Sequence, residues 1–448
     1  MLGGLTKGVW AQVGQVWAAS MAANLLLYLF QVMVGRRLAP DEFGQFAALF
    51  GIVYIAGAAS NAVQTSVART VSISSEGESQ AIAGAAIRRA LLVAAGLVAL
   101  GALLVPAAAP FLHLDDHLAL APVGAVLALA VLAPVTQGAF LGEQRFSWYS
   151  TSLVGGAAVR LIAGWAALSL GLGATGALWA IAAGVGASFA LGLMVIRPSA
   201  TSSPMDSRRA TPGLLLPTLF AFLAISVPAS ADVLAVRHLF SAHDAGLYGA
   251  VALLGRIVLF LPLAVSLVLF PRMAREVSEG GSGRRHLFAG LAITSILSGS
   301  AALIFFLAPG SALDSMLGGK YSEASGLLPT YAGAMFLFAL AVVFVYYHLA
   351  RGNRSYVYLV LIPHIALQAA LPYLFHDSLS QVTWLVAATN LSLVVSSAIF
   401  TFVPWIRVRA VMTLHWDGGQ PPIVSHIRVA DPAFRRLNPE PLKEDSSR

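Results

Sequence analysis

The sequence contains no cysteine, and only 10% of its 448 residues are charged. The absence of cysteine excludes disulfide bonds and thiolate metal sites. Soluble domains usually carry about 25% charged residues, so a soluble globular chain is excluded as well. Apolar side chains make up 58% of the residues instead, and the mean hydropathy is +0.79. This composition predicts an all-α polytopic membrane protein.

Signatures of nucleotide-binding and hydrolytic enzymes are also missing from the sequence. There is no G-x-x-x-x-G-K-[ST], no H-E-x-x-H and no G-x-S-x-G motif. The densest group of metal-ligand residue types is His113, Asp115, Asp116 and His117, in a short turn between two apolar segments. A solvated polar turn is the expected structure there, not a metal site. We therefore expect no enzyme activity, no cofactor and no bound metal.

Apolar runs of about 20 residues recur along the chain, each long enough to cross a hydrocarbon layer of about 30 Å. They predict twelve membrane spans, over 9–34, 44–68, 86–108, 118–141, 150–170, 174–196, 213–236, 246–270, 287–308, 326–350, 356–375 and 381–405. The first is too long for the apolar region of a cleaved signal peptide and is expected to remain a span.

A polar stretch rich in serine and proline separates the first six predicted spans from the last six. Such a composition is typical of a linker that cannot form a core of its own. The predicted organisation is therefore an N-terminal six-helix bundle (1–196), a cytoplasmic linker (197–212), a C-terminal six-helix bundle (213–405) and a cytoplasmic tail (406–448).

The 27 lysines and arginines outnumber the 20 acidic residues, but their positions do not indicate a nucleic-acid partner. If the N-terminus lies in the cytoplasm, nearly all basic residues fall in cytoplasmic loops or in the tail. Four of the exceptions lie on the outside: Arg36, Arg37, Arg237 and Lys320. The other two, Arg160 and Arg256, lie within spans. This bias follows the positive-inside rule and predicts that both termini are cytoplasmic.

One short motif occurs twice in the sequence, 202 positions apart, each time in the elbow between two apolar segments. The copies are Glu42-x-Gly44-x-Phe46-x-Ala48 and Asp244-x-Gly246-x-Tyr248-x-Ala250. Repeats of this kind indicate an internally duplicated membrane protein. Because each half contains six spans, the repeats are predicted to be parallel, related by an axis along the membrane normal. We expect two pseudo-symmetric bundles.

Arg160 and Arg256 each lie about ten residues inside a predicted span, near the middle of the bilayer. An arginine there costs about 2.5–3.5 kcal/mol on insertion scales, so both should face the protein interior or an aqueous cavity. One interpretation is a cationic patch that binds an anionic substrate, since guanidinium matches phosphate oxygens well. The other is an internal salt bridge, in which Asp232 pairs with Arg256 or Arg237.

The two elbows resemble sequences of a known family. Gly35-Arg-Arg-Leu-Ala-Pro-Asp-Glu-Phe-Gly-Gln-Phe46, and the segments Asp232-Val-Leu, Ala245-Gly-Leu-Tyr-Gly-Ala250 and Phe270-Pro-Arg-Met273, are similar to the polysaccharide-exporting flippases of the multidrug/oligosaccharidyl-lipid/polysaccharide (MOP) superfamily. The resemblance covers about residues 9–405. It implies two bundles around a central cavity that opens alternately to each side of the bacterial inner (cytoplasmic) membrane.

The resemblance also implies a cargo and partners. The cargo would be an oligosaccharide on polyprenyl pyrophosphate, carried from the inner to the outer leaflet for assembly of lipopolysaccharide or exopolysaccharide. Asp232 matches the family's acid in the seventh span, with an implied role in gating or in coupling to H+ or Na+. Other polysaccharide-assembly proteins are the implied protein partners.

Uncharged polar side chains within the spans are further candidates for substrate binding. Asn24 and Gln31 are seven residues apart and share one face of the first span, and Asn61 and Gln64 share a face of the second. They could line the cavity and bind sugar hydroxyls. The alternative is that these side chains form hydrogen bonds between helices, each of which contributes about 0.6 kcal/mol to stability.

Two other functions remain open at this point. A multidrug exporter of the same superfamily would transport cations and needs an acidic cavity, whereas the charges within these spans are arginines. An integral-membrane polysaccharide polymerase or ligase needs a large extracytoplasmic loop, and the longest one predicted here spans only 309–325. A peptidoglycan-precursor flippase is a further variant, expected to have two more spans.

Overall fold

The computed structural model describes residues 2–72, 74, 76–114, 116–196, 219, 222–262, 272–273, 275–277 and 279–403. These described residues form helices and short connections and contain no strand. Eleven of the helices are long and apolar enough to cross a membrane. Helices suit this environment because they satisfy every backbone hydrogen bond internally, in the absence of water. The chain is an all-α, multi-pass membrane protein, as the composition predicts.

Six helices precede the predicted linker: α1 (Leu2–Arg37), α2 (Pro40–Ser72), α3 (Glu76–Phe111), α4 (Ala121–Gly142), α5 (Phe146–Ser169) and α6 (Gly173–Val195). The longer helices that the structure describes after the linker are α7 (Ala231–Leu239), α8 (Ala242–Phe260), α9 (Arg284–Leu307), α10 (Pro309–Leu317), α11 (Leu328–Ala350), α12 (Ile362–Leu374) and α13 (Leu379–Phe402). A 3-10 helix (Gly319–Gly326) follows α10, and one π-helical turn (Val357–Leu361) precedes α12.

The predicted spans coincide with these helices wherever the structure describes them. Eleven of the twelve match a candidate membrane span. The seventh, 213–236, is described at 219 and over 222–236 and matches no candidate membrane span there, so the count of twelve stays a prediction. The linker 197–212 and the tail 406–448 also lie outside them. Residues 1–397 form one compact unit, and of a second unit, 398–448, residues 398–403 are described. The division into two six-helix bundles stays a prediction.

The two copies of the repeated motif contact each other where α2 crosses α8. A Cβ atom added to Gly44 would lie 2.7 Å from the backbone nitrogen of Gly246, and one added to Gly249 would lie 2.8 Å from the Cβ of Ala47. The residues of each pair are 202 positions apart in the sequence. Contact between equivalent positions is what a two-fold axis produces. The local packing therefore has the symmetry that the repeat predicts.

The acidic residue of each motif copy lies in the first turn of its helix. Ser241 caps α8: its Oγ accepts a hydrogen bond from the backbone N–H of Asp244 at 3.1 Å and donates one to Asp244 Oδ2 at 2.7 Å. Asp41 and Glu42 occupy the first turn of α2. Carboxylates there stabilise the positive end of the helix dipole. These acids therefore serve to start the helices.

A set of hydrogen bonds joins the α1–α2 turn to the segment around α10. Arg36 donates to the carbonyl oxygens of Met316, at 2.8 Å, and Ser315, while Lys320 donates to those of Arg36, at 2.9 Å, and Leu38. The hydroxyl of Tyr321 donates to Gly35 O at 3.0 Å. We call residues 35–38 and 315–321 the outer seam, because the predicted topology places both outside the cytoplasm.

In the outer seam, basic side chains donate hydrogen bonds to carbonyl oxygens at the ends of α1 and α10. Carbonyl groups in the last turn of a helix lack partners within the helix, and nearby Lys and Arg side chains satisfy them. Partial burial lowers the pKa of Lys320, while the charge of Glu42 acts in the opposite direction. The seam thus links the first predicted half of the chain to the second.

Candidate functional site

The predicted seventh span, 213–236, is interrupted at 227–230, within the part that the structure describes. Residues 222–226 are helical, 227–230 form a turn, and α7 starts at Ala231. Gln368 Nε2, from α12, donates to Pro228 O at 2.9 Å. The Arg256 Nη2 group, from α8, donates to Ala229 O at 3.3 Å and to Ser230 Oγ at 3.2 Å. Side chains from two other helices therefore satisfy carbonyls at this break, as broken helices in membranes require.

Arg256 is buried, with 6% of its surface exposed. Besides the contacts with the break, its Cζ lies 5.5 Å from the ring centroids of both Phe50 and Tyr54 on α2. Its Nε is buried and has no hydrogen-bond partner among the described residues. Aromatic faces attract a cation through their quadrupole and partly replace the water that burial removes.

Arg160 on α5 is equally enclosed, with 8% of its surface exposed. Its Cζ lies 4.3 Å from the ring centroid of Phe30 on α1 and 5.5 Å from that of Phe50. The Nε and Nη2 groups are buried without hydrogen-bond partners in the described part of the chain. The guanidinium therefore has hydrogen-bond donors that no described residue satisfies.

Among the described residues, neither arginine forms an ion pair with a carboxylate. The described ion pairs involve other residues, so the internal salt bridge considered from the sequence is not formed among the described residues. Arg237, the other suggested partner of Asp232, donates to Leu112 O at 3.0 Å and to His113 O at 3.1 Å. Two guanidinium groups thus converge on the ring of Phe50 from opposite halves of the sequence.

Asp232 is fully buried in the first turn of α7, with 0% of its surface exposed. Its Oδ2 accepts hydrogen bonds from the hydroxyls of Tyr248, at 2.9 Å, and Tyr331, at 2.8 Å. Its Oδ1 is buried and has no partner among the described residues. One carboxylate oxygen is therefore held by two donors, and the other remains available for a proton or a cation.

The four polar candidates from the sequence lie in two places. Asn61 and Gln64 belong to the same face of α2 as Phe50 and Tyr54, since positions 4, 11 and 14 after Phe50 return to within about 40° of it on a helix. Asn61 is exposed and Gln64 half-buried. Their amides donate to Gly57 O at 3.0 Å and to the hydroxyl of Tyr149 at 3.4 Å, respectively.

On α1, Asn24 is exposed and Gln31 is half-buried. Gln31 directly follows Phe30, whose ring contacts Arg160. The structure therefore brings Arg160, Arg256 and the α2 face together, while Asn24 lies about 9 Å along α1 from Phe30, given the 1.5 Å rise per residue. That these side chains face a substrate cavity stays a prediction.

Two surface clefts occur elsewhere, at the outer end of α1. One, of about 400 Å³, is lined by Asp314 and by outer-seam residues, with Arg36 and Lys320 among them. The other, of about 430 Å³, is lined by Leu29, Val32, Met33, Arg36 and Arg37. Arg160 and Arg256 line neither cleft, so the central cavity implied by the resemblance also stays a prediction.

The architecture matches solved membrane transporters. The structure superimposes on an inward-facing multidrug resistance MATE transporter of the MOP superfamily with a TM-score of 0.68 and 11% sequence identity, over 85% of this chain and 97% of that one. It superimposes on the lipid II flippase MurJ, in an inward closed conformation, with a TM-score of 0.66 and 13% identity, over 87% and 92% of the two chains. This chain has the MOP superfamily fold.

A further match is a MOP superfamily transporter from Pyrococcus furiosus, described as having a binding pocket of reverse polarity. Its TM-score is 0.58 at 15% identity, over 87% of this chain and 93% of that one. No protein-family model and no curated protein matches this sequence.

Several residues of the candidate site within this MOP fold were not singled out from the sequence. The aromatic rings of Phe30, Phe50 and Tyr54 and the hydroxyl of Tyr331 are the main examples. Aromatic residues make up 9% of the chain, and nothing in the sequence distinguishes these four from the others. Their role follows from contacts between helices that are far apart in the chain.

Proposed function

We propose that the protein is a flippase that carries an oligosaccharide linked to polyprenyl pyrophosphate from the inner to the outer leaflet. The observation that carries the proposal is the buried guanidinium of Arg160, whose Nε and Nη2 donors have no partner in the described residues. A buried cation without a counter-ion is costly. Phosphate oxygens would supply both the negative charge and the missing acceptors.

The surroundings of Arg160 suit a pyrophosphate headgroup. Arg256 approaches the same ring of Phe50, so two positive charges would face the two phosphates of the cargo. Asn61 and Gln64, on the same face of α2, would form hydrogen bonds with sugar hydroxyls. Asn24 and Gln31 of α1 would provide further polar contacts. The lipid tail would remain in the bilayer while the charged headgroup crosses.

Asp232 is the proposed coupling residue. Its unpartnered Oδ1 would take up H+ or Na+, and the two tyrosine hydroxyls on Oδ2 would hold the carboxylate in place. No group of three or more His, Cys, Asp or Glu side chains gathers in the described part of the chain, so the coupling proposal rests on this one carboxylate. Transport would proceed by alternating access, with the predicted bundles 1–196 and 213–405 moving against each other.

We also propose where the protein acts and in which kind of pathway. The protein would be a non-enzymatic transporter of a bacterial inner membrane, with both termini in the cytoplasm, acting with other proteins that assemble surface polysaccharide. The two buried arginines near Phe50 support a phosphate cargo over the cationic drugs of a multidrug exporter. A lipid II flippase among the structures of similar fold supports a lipid-linked cargo.

A reconstituted flipping assay tests the proposal. Liposomes containing the protein receive a fluorescent polyprenyl-pyrophosphate oligosaccharide, and a membrane-impermeant quencher reports its leaflet. We expect wild-type protein to flip this lipid and Arg160→Ala to slow flipping by about tenfold or more, the range for a lost charge-assisted hydrogen bond. Arg160→Lys should be intermediate, because lysine keeps the charge but loses the planar fork.

Two further measurements distinguish the flippase from a drug exporter and test the coupling role of Asp232. Wild-type liposomes are also tested with a cationic dye; dye export without lipid flipping would overturn the flippase in favour of a drug exporter. Asp232→Asn, which keeps the shape of the side chain but removes its charge, should abolish dependence on a H+ or Na+ gradient. Gradient-dependent flipping by Asp232→Asn would reject the coupling role alone.

A further inference from the structure

We infer that Arg256 and Gln368 are positioning residues that hold the break in the seventh span and thereby set the location of Asp232. The inference rests on the proposed function for the role of Asp232, but its geometry is independent of the cargo. Arg256 would still contribute its charge to the site, whereas its Nη2 group serves the break.

The hydrogen bonds at the break support this inference. In a continuous helix, Pro228 O and Ala229 O would accept from the N–H groups four residues later, at Asp232 and Val233. Among the described residues, neither of these two carbonyls accepts such a bond, although the neighbouring Val227 O accepts one from Ala231 N at 2.8 Å. Pro228 O is bonded to Gln368 and Ala229 O to Arg256 instead. The two side chains therefore replace the intrahelical bonds that would otherwise close the break.

The break determines where Asp232 lies. Because α7 starts at Ala231, the carboxylate occupies the first turn of a new half-helix, next to the positive end of the helix dipole. If the break closed, Asp232 would lie in the middle of a continuous helix and would lose that environment. The groups around its carboxylate are the hydroxyls of Tyr248 and Tyr331, the backbone N–H of Val233 and, through its charge, Arg256.

The chain offers a matched control for Gln368. Asn390 on α13 is also a buried amide that donates to a backbone carbonyl, Ala334 O at 3.0 Å, compared with 2.9 Å for Gln368 and Pro228 O. The amide oxygen of each side chain has no partner among the described residues. Ala334 belongs to the regular helix α11, so Asn390 resembles Gln368 in its burial and in its bond to a carbonyl but does not contact the break.

Transport kinetics provide the first test. Gln368→Met removes the donor at nearly constant length, and Asn390→Leu removes the control bond. We expect Gln368→Met to lower the maximal flipping rate by about tenfold, as for loss of a buried bond, and to alter the dependence on pH or Na+. The half-saturating concentration of lipid should stay within about twofold, because Gln368 does not contact cargo. Asn390→Leu should leave the ion dependence unchanged.

Distances measured across the break test the inference without any transport. The absence of native cysteine allows spin labels at Phe222→Cys and Ser241→Cys, on either side of the break. We expect Gln368→Met and Arg256→Met to shift or broaden the distance distribution measured by double electron–electron resonance. Arg256→Lys, which keeps a donor and the charge, should largely retain the wild-type distribution, as should Asn390→Leu.

The outcomes are distinguishable. Wild-type distances and wild-type ion dependence in Gln368→Met and Arg256→Met would overturn the positioning role. A failure of wild-type protein to flip the lipid would reject the proposed function and leave the distance result to decide the geometry of the break.

Discussion

The guanidinium carbons of Arg160 and Arg256 each lie 5.5 Å from the centroid of the same ring, that of Phe50. The two arginines come from α5 and α8, and Phe50 comes from α2, which lies between them in the site. Like charges repel, and among the described residues neither guanidinium forms an ion pair with a carboxylate, so the aromatic ring offsets only part of the cost of burying two cations. A bound anion would balance the positive charges of the two arginines.

Replacing Phe50 tests whether this ring organises the site. Phe50→Leu should weaken binding of the lipid-linked oligosaccharide and lower the unfolding temperature, because each lost cation–π contact contributes about 0.5–2 kcal/mol. Phe50→Tyr keeps the ring and is the matched control. Binding is measured by fluorescence anisotropy of the labelled lipid in detergent. Unchanged affinity in Phe50→Leu would separate the ring from substrate binding.

The elbow glycines allow α2 and α8 to approach closely. A Cβ atom on Gly246 would lie 1.9 Å from Pro40 O, a backbone atom that cannot move aside cheaply. Gly246→Ala should therefore force the two elbows apart and lower the unfolding temperature by several degrees, for a cost of about 1–3 kcal/mol typical of overpacking.

Gly57→Ala is the control for that substitution. Gly57 lies in α2, the helix that α8 crosses, and an added Cβ would meet nothing within 4 Å. It should be neutral or stabilising, since alanine is favoured over glycine in helices by about 1 kcal/mol. Equal unfolding temperatures for both variants would show that the elbow contact does not constrain the fold.

The outer seam is expected to keep the extracytoplasmic side closed. Lys320→Met removes the hydrogen bonds to Arg36 O and Leu38 O and should open the seam more often. The readout is Leu38→Cys, since Leu38 is 2% exposed in the structure and the chain has no other cysteine. A membrane-impermeant thiol reagent should label it several-fold faster in Lys320→Met, in proportion to the open population.

The neighbouring Arg37 supplies the control. Its side chain is exposed and carries the same charge, so Arg37→Met matches the change in charge at the same surface. Labelling that is accelerated equally by both variants would point to local electrostatics and not to the seam's hydrogen bonds.

Local patterns in the sequence located much of the candidate site. The positions of Arg160 and Arg256 within apolar segments were enough to predict that they face away from lipid, because lipid exposure of a charge is costly. Which partners they meet was not predictable. The salt bridge between Asp232 and Arg256 was a reasonable alternative, yet the carboxylate binds two tyrosine hydroxyls instead.

The repeated motif likewise shows what a local sequence pattern predicts and what depends on contacts between residues far apart in the chain. Spacing alone related Gly44 to Gly246, and it predicted a common elbow structure. Their mutual contact depends on how α2 crosses α8, which a one-dimensional pattern does not contain. The break at 227–230 is intermediate, since Pro228 signals a bend but the donors that stabilise it come from positions 256 and 368.

By itself, the sequence determined that the chain is a helical membrane protein with its spans in known places, because a bilayer requires long apolar segments that satisfy their own backbone hydrogen bonds. Only the tertiary structure decided which side chains meet at Phe50 and at the break. Lipid is as apolar as the helix surfaces it covers, so hydropathy does not orient one span toward another. That choice depends on close packing and on a few polar contacts between distant residues.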